Sequence, residues 1–116
     1  MEKIYHLSSC STCVRIINEL DLKAKKFELQ DIKTEKITPV QLEAMRKMAG
    51  SYEALFSRTA LKYRTLGLDK KQLTEDDYKN YILEEYTFLK RPVIITGSKI
   101  FIGSSKSTVA EAKAVL

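Results

Sequence analysis

The apolar residues of this chain change period along its length, and the order of those periods limits the folds open to it. Residues 2–7 (Glu-Lys-Ile-Tyr-His-Leu) read as a short strand that Ser8 and Ser9 break. From Cys13 to Leu20 the positions Val14, Ile16, Ile17 and Leu20 take a helical spacing. Ser8, Ser9, Ser11 and Thr12 are all eligible to cap that helix. Residues 25–32 place Phe27, Leu29 and, out of phase, Ile32 on a second strand. Strand, helix, strand over so short a stretch predicts a right-handed parallel crossover.

The middle of the chain is helical. Thr38-Pro39 is a start signal with Pro at the first helical position, and Val40, Leu42, Met45 and Met48 follow as far as Gly50. Tyr52 to Leu66 predicts one or two short helices closed by Gly67. Thr74 to Asp77 is an acidic start of capping-box type, and the helix it opens runs to about Glu85. Residues 93–96 and 99–102 are then two strands joined by Gly97-Ser98, a type II′ signal with glycine first. Ser107 to Leu116 is a closing helix. The order β-α-β, helices, β-β-α predicts an α/β protein with a thioredoxin-like core. It implies one domain over 1–116, with a helical insertion at about 38–88.

Composition narrows the class. With 44% hydrophobic and 30% charged residues, the chain has the balance of a folded globular protein. The longest wholly apolar runs, such as Val93 to Ile95, are far short of a membrane span. The first residues carry no basic-then-apolar signal, so a cytoplasmic protein and no membrane association are expected. Two cysteines and one histidine make neither a disulfide scaffold nor a structural zinc site, so no metal is expected. The net charge of +5 is concentrated towards the C-terminal end, in Lys90, Arg91, Lys99, Lys106 and Lys113 against Glu111 alone. That excess is either solvated surface or a basic face for an anion or acidic partner. No nucleic-acid motif accompanies it, so direct nucleic-acid binding is not expected.

The two thiols form Cys10-Ser-Thr-Cys13 at the junction of a strand and a helix. A thiolate there meets the helix dipole and free backbone N–H groups, which lower its pKa from ~8.5 into the range ~3.5–7.5. The second cysteine, one turn on, is placed to resolve a mixed disulfide. Two small core residues three apart, or half of a zinc site, are the alternatives. His6 ends the strand that delivers Cys10 and is a candidate source of positive charge or a proton. Arg91 stands beside Pro92 just before a strand, where its planar donor fork suits an oxyanion.

Ile4-Tyr5-His6-(x)3-Cys10-(x)2-Cys13, Ala54-Leu55-Phe56-Ser57-Arg58, Leu66-Gly67-Leu68 and Lys90-Arg91-Pro92-Val93-Ile94-Ile95 occur in that order. Together they resemble the glutaredoxin-dependent arsenate reductase (ArsC-like) family, which includes the Spx regulators. The resemblance implies a thioredoxin-type core with a helical insertion. It implies Cys10 as the nucleophile that attacks arsenate, His6 as the residue that helps lower its pKa, and Arg58 and Arg91 as oxyanion-binding arginines. Pro92 corresponds to the cis-proline facing the cysteine loop. No bound cofactor is implied; glutathione with glutaredoxin, or thioredoxin, is the external reductant, and a monomer is expected. Two departures stand out. The best-characterised reductases carry a third arginine after the last strand, where this chain reads Phe101-Ile102-Gly103-Ser104. Those reductases have serine where this chain has Cys13, so the pair is closer to the redox-sensing C-x-x-C of Spx. The alternative function is therefore an Spx-like redox regulator that binds the RNA polymerase α subunit. Spx proteins usually extend beyond the last helix with a basic tail, whereas this chain stops at Leu116.

Overall fold

The computed structural model describes residues 2–116. In chain order the elements are β1 (Glu2–His6), α1 (Ser11–Glu19), β2 (Glu28–Asp31), α2 (Pro39–Ala49), α3 (Leu61–Thr65), α4 (Glu75–Glu84), β3 (Val93–Thr96), β4 (Lys99–Ile102) and α5 (Lys106–Val115). Single 3-10 turns lie at Glu53–Leu55, Leu68–Lys70 and Tyr86–Phe88. The described residues divide into two compact units, one of residues 2–36 with 91–116 and the other of residues 37–90.

The first unit holds one sheet of order β2-β1-β3-β4. β1 and β2 run parallel, pairing Ile4 with Leu29 and His6 with Asp31. β3 is antiparallel to β1, pairing Val93 with Tyr5, and β4 is antiparallel to β3. This is the thioredoxin-like α/β fold. Ile4 and Ile94 of the two central strands are buried with Ile16, Ile17 and Leu20, and with Val109 and Ala112 of α5. Gly97, with φ 58, turns the β3–β4 hairpin, and Ser98 stays out of the left-handed region, as a II′ turn requires.

Several boundaries differ from the sequence expectation. The stripe of α1 that faces the core is Cys13, Ile16, Ile17 and Leu20, while Val14 is 43% exposed. Spacing of i, i+3, i+4, i+7 selects Cys13, because Val14 lies one residue off that face. None of the four eligible hydroxyls caps α1: the N-cap is Cys10, with no side-chain cap bond. β2 begins at Glu28 because residues 20–26 form hydrogen-bonded turns, with Asp21 and Lys26 at φ 56 and 61. α5 starts at Lys106, since the Ser105 hydroxyl accepts the Thr108 N–H at 3.2 Å.

The second unit is built from caps and aromatics. Thr38 and Gln41 close a reciprocal capping box on α2, which ends at Gly50 with φ 98. Thr74 and Asp77 close another on α4. The Phe56 ring stacks on Phe88 with centroids 5.1 Å apart, and meets Tyr78 at 4.9 Å and Tyr63 at 5.9 Å. A short antiparallel bridge of Phe56 with Leu89, extended by Lys90 N–H donating to the Leu55 carbonyl at 2.9 Å, closes the unit. Among the described residues no helix is long and apolar enough to cross a membrane.

Candidate thiol site at the start of α1

β1 ends at His6, and a tight turn follows in which the Cys10 N–H donates to the Leu7 carbonyl at 2.9 Å. That turn leaves Cys10 in extended backbone geometry (φ −90, ψ 110) at the head of α1. A residue at this position faces the N–H groups of the first helical turn, which have no partner within the helix. Here those donors serve a sulfur. Burial pushes the Cys10 thiol up. The Cys13 N–H and S–H and the Thr12 N–H, all donating to the Cys10 sulfur, together with the Arg91 guanidinium, bring it below its ordinary value of 9.0.

Cys13 is driven the other way. It is fully buried, and burial first, then Cys10, push its thiol from 9.0 up to about 11, against the lowering effects of Leu7 and Arg91. Both cysteines are free. The arrangement pairs a partly exposed thiol whose anion is favoured with a sequestered one whose proton is favoured, and the proton of the second supports the anion of the first.

Arg91 stands immediately before β3, the antiparallel neighbour of β1, and its charge acts on both sulfurs. The Arg91–Pro92 peptide is cis. The Pro92 carbonyl accepts the Gly103 N–H at 2.9 Å, so the residues after β4 are tied to the same corner.

The first unit thus brings Cys10, Cys13 and Arg91 together. His6 belongs to the same unit but looks elsewhere. Its ring is buried, its Nδ1 has no hydrogen-bond partner among the described residues, and burial holds its pKa below the ordinary value, with Asp31 opposing and Lys23 adding to the effect. It lines a cavity of about 150 Å³ with Ser8, Val14, Asn18 and Lys23. The charge that acts on Cys10 from this corner is that of Arg91. Arg58 lies in the second unit. It donates to the Glu53 carboxylate at 2.7 Å and to the Tyr78 hydroxyl at 2.9 Å.

Sequence reasoning passed over one residue that supports the site. The Asp31 carboxylate, at the end of β2, accepts the Ser8 hydroxyl at 2.5 Å, the Ser8 N–H, and the Lys33 N–H at 3.1 Å. It therefore pins the turn that presents Cys10. The Ser8 hydroxyl first, and then the Lys33 and Ser8 amides and His6, outweigh the opposing effect of burial and keep this carboxyl below its ordinary value. The signal lay in strand register: pairing β1 with β2 so that Ile4 meets Leu29 sets Asp31 beside His6, two residues before Ser8. Among the described residues no group of three His, Cys, Asp or Glu side chains is placed to hold a metal ion.

A sequence model of the ArsC family matches residues 5–112. The uncharacterized protein YusI of Bacillus subtilis strain 168 is 24% identical over 110 residues, covering 92% of this chain and 93% of YusI. Among solved structures, SACOL0876 of Staphylococcus aureus COL superposes with a TM-score of 0.77 at 27% identity, covering 96% of this chain and 97% of that one. An arsenate reductase from Vibrio cholerae superposes with a TM-score of 0.74 at 21% identity, covering 95% of each chain.

Proposed function

Because the chain belongs to the ArsC family, a family of thiol oxidoreductases, we propose that it is a reductase in which Cys10 is the nucleophile and Cys13 or glutathione resolves. The observation that carries this reading is the opposite displacement of the two thiols, Cys10 downward and Cys13 up to about 11. A nucleophile must be ionised at working pH, and a resolving thiol must wait until the first has reacted.

With arsenate as substrate, the Cys10 thiolate forms an S–As bond as a protonated oxygen leaves as water. A second thiol then attacks the Cys10 sulfur and loses its proton. The S–As electron pair passes to arsenic, arsenite departs, and a disulfide remains. Glutaredoxin or thioredoxin returns the two electrons. In this scheme Arg91 stabilises the charge on the oxyanion beside Cys10, and Pro92 lines the cysteine loop.

The test couples arsenate, glutathione and glutaredoxin to NADPH oxidation, with wild-type protein and Cys10→Ser. A Cys10-dependent rate supports the reading, and its absence removes arsenate as the substrate. One observation favours a second reading. The Cys13 S–H donates to Cys10, so the two sulfurs are neighbours before any oxidation. An intramolecular disulfide would make the site a redox switch, and the partner would be the RNA polymerase α subunit. Capture of that subunit by the oxidised protein but not by Cys13→Ala supports this reading; equal capture by both, or none, rejects it.

A further inference from the structure

The positive charge of the chain is unevenly shared. The unit that carries the thiols has eleven Lys and Arg against seven Asp and Glu, while residues 37–90 have nine against eight. Within the first unit α1 and α5 pack on the same face of the sheet, and a groove of about 390 Å³ remains between them. Lys106, Val109, Ala110 and Lys113 form one wall, Arg15 and Glu19 the other, with Ser104 at one end. The α5 wall is a stripe of i, i+3, i+4, i+7 spacing, so both lysines point to one side with small apolar residues between them. Two helical turns separate them, a rise of about 10.5 Å. The only acid in the lining, Glu19, is 3.6 Å from Arg15, and Lys106 and Lys113 have no ion-pair partner among the described residues.

We propose that this groove is a docking site for an acidic peptide segment of a partner protein, one with carboxylates three residues apart in polyproline II conformation. The match is geometric and electrostatic. Residues i and i+3 of such a segment share a face and lie about 9.3 Å apart, close to the spacing of the two lysines. Arg15, Lys106 and Lys113 are all exposed, so each contact alone is weak, and a chain-like occupant that engages several at once is the one they hold. The proposal does not depend on the thiol chemistry, and its test reads binding alone.

The probe is the peptide acetyl-Glu-Pro-Pro-Glu-amide, titrated into the ¹⁵N-labelled full chain at low salt. Saturable shifts confined to Arg15 and to Ser104–Lys113 are expected. The double variant K106Q/K113Q should bind about fivefold more weakly or worse, whereas K70Q/K71Q, with the same charge removed from the other unit, should bind like the parent. Shifts spread over all lysines, equal losses in the two variants, or equal binding of acetyl-Gln-Pro-Pro-Gln-amide would each overturn the proposal.

Discussion

Replacing Cys13 with alanine removes one identified support of the Cys10 anion and leaves the others in place. The N–H groups of residues 12 and 13 and the Arg91 guanidinium still face the sulfur; only the S–H donor is lost. A hydrogen bond to a charged acceptor contributes about 1.5–3 kcal/mol. A thiol is a weak donor, so the low end of that range applies, and at 1.36 kcal/mol per unit the Cys10 pKa should rise by about one unit. The assay is thiolate absorbance at 240 nm against pH. The variant has a single thiol, so its step below the pH range in which the six tyrosines ionise belongs to Cys10, and the same low step is read in the parent. Cys13→Ser restores a donor and should return most of the loss. The same variant carries a stability signature. In the parent, folding raises the Cys13 pKa, so above about pH 9 the unfolded chain binds fewer protons than the native one. Stability therefore falls as pH rises from about 9 to 11, by up to about 2 kcal/mol. Urea unfolding at both ends of that window should show the decline in the parent and a smaller one in Cys13→Ala. A Cys10 step that stays put or moves down in Cys13→Ala would refute the account of how this thiol is activated.

Three further outcomes follow from the same structure. Arg91→Gln should slow iodoacetamide alkylation of Cys10 at pH 7 about threefold, with Arg91→Lys close to the parent, because a cation near a partly exposed sulfur acts mainly through charge. Asp31→Asn weakens the anchor on Ser8, so amide exchange of residues 8–10 should accelerate; the depressed Asp31 carboxyl favours folding above its ordinary value near 3.8 and loses that contribution as pH falls through its lower folded value, a dependence the variant should lack. Phe56→Ala empties the centre of the aromatic cluster and should cost about 3–5 kcal/mol in thermal or urea unfolding, against about 1 kcal/mol for loss of the Thr74 cap in Thr74→Ala.

The order of elements was legible because each carries a local code. Thr38-Pro39 and Thr74 to Asp77 start helices through their own side chains, and Gly97-Ser98 turns a hairpin without help from distant residues. The C-x-x-C pair was legible for the same reason, since the head of a helix is a local feature. Other features depend on neighbours that sequence spacing does not supply. Val14 and Cys13 compete for one core position, and helical phase against the sheet decides for Cys13. His6 stands four residues before Cys10, yet strand alternation turns its ring towards the face packed by α1, among Asn18, Lys23 and Asp31. Asp31 became visible as a support of the turn only once the register of β1 with β2 was known.

The pairing of Tyr5 with Val93 also has a consequence in biosynthesis. Cys10 leaves the ribosome early, with β1, α1 and β2 close behind it, whereas Arg91 follows only after the whole of residues 37–90. Joining two strands so far apart in the chain is the costly, non-local step of assembling this sheet. Until it is made, the thiol lacks its cation, and a growing or truncated chain exposes a less acidic sulfur to electrophiles and oxidants. The last increment of reactivity is thereby withheld until the fold that can use it is complete.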